Sequence, residues 1–219
     1  MTGRPQSTQP DRRHLSGPVD RAGTVRGRQQ EADHGHTQPS APQVHLDLPT
    51  ADLASAARLA TRLGAVPVEQ GTDLAVFADP AGHPFCLYVD PEDDHAAVDH
   101  PLSGRIGRVV IDCSSPPALA EFYAGFLDMP DRPADHGDWI VISRSDGRSP
   151  ALAFRRSKAP PPRWPDPAFP QQMHLDIWVD DAEPASQQAI AAGATELPAM
   201  GGSCPVLADP AGHPFCICS

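Results

Sequence analysis

Two short segments hold the residue types that could do chemistry. His45-Leu-Asp-Leu48 and His174-Leu-Asp-Ile177 each place an imidazole and a carboxylate two residues apart. In an extended chain that spacing puts both side chains on one face. An imidazole so placed could ligate a metal or act as a general base. The plainer reading, and the preferred one, is a strand histidine bonded to a neighbouring Asp or a backbone group. Downstream of each segment lies the octapeptide Asp-Pro-Ala-Gly-His-Pro-Phe-Cys, at 79–86 and again unchanged at 209–216. Its cysteines, Cys86 and Cys216, are reactive only in an electropositive, partly exposed setting and otherwise serve as small apolar fillers. Asp-Pro-x-Gly is a turn signal, with Pro presetting φ at the second place and Gly admitting positive φ, so the octapeptide reads as structural. His83 and His213 are then expected to be exposed on the turn rather than ligating.

The elements that must carry these residues repeat. The His-Leu-Asp segments are 129 positions apart and the octapeptides 130, so a unit of about 45 residues recurs with one insertion. In unit one, Val44, Leu46 and Leu48 alternate with His45 and Asp47 as a half-buried strand requires. Asp52 then caps a helix with Leu53, Ala56, Ala57, Ala60 and Leu63 at helical spacing, ended by Gly64. Val66–Val68, Leu74–Phe77 and Phe85–Val89 follow as strands, giving βαβββ. Unit two keeps this grammar, with a strand from Ile106 to Cys113 and a helix opened by Ser115-Pro116 with Leu119, Phe122, Tyr123 and Phe126 on one face. Strands at Trp139–Ser143 and Ala151–Phe154 complete it. Unit three repeats unit one: a strand from Met173 to Val179, a helix from about Ala182 to Ala192, and strands near Val206-Leu207 and Phe215–Cys218. In its first strand His174, Asp176 and Trp178 turn away from the helix.

Residues 1–42 hold six Arg and four acidic residues and almost no apolar periodicity, the composition of a disordered tail. Residues 43–90 form unit one, 91–104 an acidic linker, and 105–218 a domain of two units, with a Pro-rich connection at 157–170 between them. The chain's net charge is −11, and outside the tail 11 basic residues face 24 acidic ones. Such a body repels nucleic acid and anionic membrane, and no apolar run reaches the ~18 residues of a membrane span. Five cysteines, an odd number without a close-spaced framework, fit a reducing cytoplasm better than a disulfide scaffold.

Repeated βαβββ units that open on a strand with an early His and close on Asp-Pro-x-Gly resemble the vicinal oxygen chelate superfamily, which includes glyoxalase I, extradiol dioxygenases and bleomycin-resistance proteins. The resemblance rests on Ile106–Tyr123, Leu152-Ala-Phe-Arg155, His174–Ile177 and Leu207–Cys216. It implies an α+β fold whose units pair into a curled mixed sheet, with helices outside and a cleft inside. It further implies that Arg108, Asp112, Trp139, His174, Asp176, Trp178 and Cys216 line the cleft of 105–218. Metal-dependent members place a His on the first strand and a Glu on the last. Here His174 stands at the first position, Cys216 at the second, and Arg108 where the facing unit would offer its His. A hard divalent ion disfavours a neutral thiol beside a cation. Zn²⁺ accepts His and Cys but needs three or four ligands, and His174, Cys216 and Asp176 are what is on offer.

The leading expectation is therefore a cytoplasmic protein that binds a small organic molecule without a metal, using Arg108 for an anionic or oxygen-rich ligand. A divalent-metal-dependent lyase or dioxygenase, with a metal such as Zn²⁺ at His174 and Cys216, is the alternative. A degenerate scaffold without an active cleft is the third reading. Trp139 and Trp178 read equally well as a wall for a planar ligand and as core. Unit one lacks a partner in this scheme, leaving a sheet edge and an apolar face open. Three ways out exist: a second chain as in a homodimer, docking on 105–218, or truncation of a four-unit protein, the last being favoured.

Overall fold

The computed structural model describes residues 44–90, 102, 104–148, 150–164, 166, 168, 173–198 and 202–219. The expected tail at 1–42 and nearly all of the linker at 91–104 lie outside them.

Unit one begins with β1 (Val44–Thr50) and α1 (Leu53–Arg62). Asp52 caps α1 by accepting the Ser55 amide at 3.0 Å, and Ala56 and Ala60 form its buried face. Strands β2 (Val66–Gln70), β3 (Leu74–Ala78) and β4 (Pro84–Val89) close the unit. Unit two runs β5 (Arg108–Cys113), α2 (Pro116–Leu127), β6 (Asp131–Asp135), β7 (Trp139–Ser143) and β8 (Ala151–Arg156). Pro116 occupies the start of α2, where its missing N–H costs nothing. Strand β6 has no apolar alternation to betray it, since Asp131-Arg-Pro-Ala-Asp135 is almost wholly polar; pairing with β7 alone makes it a strand. Unit three is β9 (Leu175–Trp178), α3 (Ala182–Ala191), β10 (Thr195–Glu196), β11 (Val206–Ala208) and β12 (Pro214–Cys218). Among the described residues no helix is long and apolar enough to cross a membrane.

Units one and two join in one open eight-stranded mixed sheet of order β2-β3-β4-β1-β5-β8-β7-β6. The join is β1 against β5, antiparallel, with Val44 opposite Ile111, Leu46 opposite Val109 and Asp47 opposite Arg108. Unit three forms its own sheet, β10-β11-β12-β9. This corrects the expectation that units two and three of 105–218 share a curled sheet, and it gives unit one the partner it lacked. The reason lies in α2, which presents aromatic rings in two directions. Tyr123 stacks on Phe154 of the large sheet, with centroids 5.6 Å apart, while Phe122 and Phe126 meet Phe215 of β12 at 6.2 and 6.1 Å. Unit three thus buries the helix-facing side of its sheet, through Leu207, Phe215 and Ile217, in the core that α2 shares with the large sheet. Each ring of this kind contributes on the order of 2–3 kcal/mol by burial.

Both octapeptides are turns. Asp79 Oδ1 accepts the Ala81 and His83 amides at 2.8 and 2.9 Å, and Asp209 Oδ1 accepts those of Ala211 and His213 at 2.8 and 3.0 Å. Gly82 and Gly212 take φ of 92° and 91°, values an L side chain resists. The copies differ in surroundings: the Tyr123 hydroxyl donates to Asp209 Oδ2 at 3.0 Å. His213 is consequently buried, against the expectation that it is exposed, whereas His83 is partly exposed. Cys204 and Cys218 form a disulfide that ties the loop before β11 to β12, a bond the cysteine spacing did not suggest.

Candidate functional site

Among the described residues, two groups of chemically capable side chains face away from the helices, one on each sheet. On the large sheet, strand alternation turns His45 and Asp47 of β1, Cys86 and Tyr88 of β4, and Arg108 and Asp112 of β5 to that face. Two Arg–Asp pairs hold it together. The Arg108 Nε donates to Asp47 Oδ2 at 3.0 Å, and its guanidinium lies over the Tyr88 ring at 4.2 Å and the Trp139 ring at 5.4 Å. Arg155 of β8 grips Asp112 through two bonds of 2.7 and 3.1 Å. Gly107 admits this arrangement, because a Cβ there would collide with the Tyr88 hydroxyl. His45 Nε2 lies 3.5 Å from Asp47 Oδ1, and the Cys86 thiol hydrogen-bonds the same carboxylate.

Burial sets the electrostatics of this network. Desolvation pushes the Asp47 carboxyl above its ordinary value, and Arg108 only partly offsets it. The Cys86 thiol is driven far up, by burial first and by Asp47 second, so it stays protonated. His45, Asp47 and Cys86 have donor atoms within 4.8 Å of one another. They nevertheless fit a metal poorly, since a ligating thiol must lose its proton and Asp47 is engaged by Arg108.

On the small sheet the same three residue types recur in the open. His174 Nε2 lies 3.2 Å from Asp176 Oδ1, with side chains 39% and 55% exposed. Cys216, opposite Asp176 in the parallel β9·β12 pair, completes a set whose donors also lie within 4.8 Å of one another. The Cys216 thiol is raised, first by desolvation and then by the Asp176 charge. These residues border a hollow of about 380 Å³ with Trp164, Ser203, Cys204, Val206 and Phe215. Here the donor set suits Zn²⁺: one imidazole, one carboxylate and one thiol, with a fourth position open to solvent. His174 and Asp176 already present their donors 3.2 Å apart, and the Cys216 sulfur lies within 4.8 Å of both.

The seven residues expected around one cleft are therefore divided. Arg108, Asp112 and Trp139 belong to the large sheet, where Trp139 packs with Val110, Val141 and Ala153. His174, Asp176 and Cys216 border the hollow of the small sheet, and Trp178 stands 75% exposed on the same strand. Sequence reasoning passed over Tyr88, Arg155 and Trp164. An isolated Trp within the Pro-rich connection was the one signal available for the last.

The sequence matches the Glyoxalase-like domain family over residues 1–88 and 108–218. Among curated proteins none matches. Among solved structures, a V278E mutant of glyoxalase I from Zea mays is similar at 13% identity and a TM-score of 0.55, over 81% of this chain and 67% of that one. A putative dioxygenase from Bacillus subtilis is similar at 14% identity and a TM-score of 0.50, over 84% and 64%. A bleomycin-binding protein from Streptomyces verticillus is similar at 17% identity and a TM-score of 0.36, over 51% and 93%. The matched residues, the paired βαβββ units and the helices on one side of the curled sheet place this chain in the Glyoxalase-like domain family, within the vicinal oxygen chelate superfamily.

Proposed function

We propose that the chain binds a small organic molecule in the hollow of its C-terminal unit, between Trp164 and the His174, Asp176 and Cys216 cluster. The observation that carries this reading is the hollow itself: about 380 Å³, walled by Trp164, Val206 and Pro214, with three polar groups on one side. That volume and mixture suit a compact ligand with one apolar face and one hydrogen-bonding edge. Arg108, first expected to hold an anionic ligand, is neutralised by Asp47 on the other sheet, so recognition falls to His174 and Asp176. The ligand is therefore neutral or bears a single donor–acceptor edge rather than several negative charges.

The test is thermal denaturation and tryptophan fluorescence with a panel of small planar and oxygen-rich compounds. A ligand raises the midpoint of the parent chain, and the shift disappears in both Trp164→Ala and His174→Ala. A shift that both variants retain would move the site elsewhere. A panel without any shift would favour a scaffold that has no working cleft.

The metal-dependent reading has one observation in its favour, the mutual approach of His174, Asp176 and Cys216 donors. A bound Zn²⁺ would supply Lewis-acid polarisation of ligand oxygens. Stoichiometric zinc in protein purified without an affinity tag, lost in His174→Ala, would establish that reading over the metal-free one.

A further inference from the structure

Unit three carries two sulfurs that unit one lacks, and they fall at matched positions. Displaced by 130 like the octapeptides, Cys204 and Cys218 stand where unit one has Leu74 and Tyr88. Leu74 and Tyr88 face each other across the β3·β4 hairpin, whose register holds without a covalent bond. In unit three Val206 lies opposite Cys216, and the Ile217 amide donates to the Pro205 carbonyl at 3.0 Å. That register, carried on by two residues, puts Cys204 opposite Cys218, with Cα atoms 5.0 Å apart. The backbone pairing therefore holds these two side chains together whether the bond between their sulfurs is made or broken.

A third sulfur lies beside them. Cys216 and Cys218 are two residues apart on β12, so both turn away from the helices, roughly 6.6 Å apart along the strand. Cys204, Cys216 and Cys218 all border the hollow of about 380 Å³. Among the described residues that border it none is Lys or Arg, and Asp176 stands opposite Cys216. In unit one the corresponding thiol, Cys86, has Arg108 and Arg155 nearby and Tyr88 in place of a second sulfur. The hollow of unit three thus favours a cation over an anion, and sulfur selects soft ions over Mg²⁺ or Ca²⁺. With the disulfide closed, only Cys216 of the three has a thiol to offer.

We propose that reduction of the Cys204–Cys218 disulfide converts this hollow into a site for a thiophilic divalent ion of the Zn²⁺ and Cd²⁺ class, held by the sulfurs of Cys204, Cys216 and Cys218. A small dithiol supplies two electrons and two protons: its own sulfurs close into a disulfide, the Cys204–Cys218 bond breaks, and two thiols form. The ion then takes the place of the three thiol protons, which leave to solvent as three metal–sulfur bonds of about 2.3 Å form. Desolvation and the Asp176 charge raise the Cys216 thiol, so the arriving cation is what drives its ionisation. The fourth tetrahedral position is left to water. The site shares the hollow with the proposed organic ligand and does not depend on it. It differs from the set of His174, Asp176 and Cys216 in requiring the disulfide to be open.

The experiment is titration with Cd²⁺ of the untagged full chain, before and after treatment with a dithiol that is then removed by gel filtration without oxygen. The reduced chain is expected to retain about one Cd²⁺ through a second gel filtration, with the ultraviolet charge-transfer absorption of cadmium–thiolate bonds and an unchanged circular dichroism spectrum. The oxidised chain is expected to retain none. Cys86 and Cys113 are thiols in both states, so they cancel in the comparison. Retention is expected to be lost in reduced Cys204→Ser and in reduced Cys216→Ser. Should Cys204→Ser fail to fold, Cys216→Ser decides, because it keeps the disulfide until the dithiol is added. Equal uptake before and after reduction, as the set of His174, Asp176 and Cys216 would give, overturns the proposal. So does uptake that persists in Cys216→Ser, a reduced chain that takes up no cadmium, or one whose circular dichroism spectrum collapses. The organic-ligand reading is tested by thermal shift on the oxidised chain, so either proposal can fail alone.

Discussion

Unit one and unit three carry nearly the same residues into opposite environments. His45, Asp47 and Cys86 are all buried, while His174 and Asp176 are exposed and Cys216 half-buried. Their strands pair alike, Asp47 beside Cys86 and Asp176 beside Cys216. The difference is that β5 lies against β1 and brings Arg108 and the Tyr88–Trp139 sandwich over the first triad. A motif of this kind therefore has no fixed chemistry. What faces it across the sheet decides whether it becomes a core network or a reactive surface.

The largest expected effect comes from removing the covering cation. Arg108→Ala leaves the Asp47 carboxylate buried without its partner and should cost about 3–5 kcal/mol in chemical denaturation. His174→Ala, at the equivalent place in the open copy, should cost under about 1 kcal/mol. Equal losses would mean that the two faces are energetically alike.

Thiol chemistry sharpens the same contrast. In the folded chain a disulfide-exchange reagent should titrate one thiol, and that one should vanish in Cys216→Ser. Cys86 and Cys113 should react only on unfolding, since burial raises both thiols, that of Cys113 to about 12. Rapid modification of Cys86 in native protein would show that the large sheet's face is open to solvent.

The smallest effect is a pair of opposite titrations. Asp47 is raised above 3.8 by burial, whereas Asp79 is lowered from 3.8, chiefly by the His83 amide it accepts. A raised folded value contributes stability below the unfolded value and loses it as pH climbs through the folded one. A lowered folded value contributes stability above the unfolded value and loses it as pH falls through the folded one. Carboxyl-carbon NMR should show Asp47 titrating above 3.8 and Asp79 below it. A common midpoint would contradict the burial of Asp47.

The helices and the turns were legible before any coordinates. Asp52 and Asp181 cap where the periodicity begins, and both octapeptides close on their own Asp, because caps and turns are made by residues within a few positions of one another. Strand β6 was not legible, since nothing in Asp131–Asp135 alternates and its partner β7 supplies the only reason for it. The candidate residues were legible singly, through strand phase, but not as a set. Phase states which side of a strand Arg108 or His174 occupies and says nothing of which other strand lies alongside.

That choice belonged to the tertiary structure. The sequence by itself determined three repeated units, each a strand, a helix and at least two further strands, and the faces of those strands, because these follow from local periodicity and short-range turn chemistry. Which units paired was decided by non-local packing: β5 accepted β1 through the Arg108–Asp47 contact, and Phe215 drew unit three onto the outer rings of α2. Periodicity cannot rank such joins, since β1 and β9 carry the same His-Leu-Asp pattern and would suit the same partner equally well.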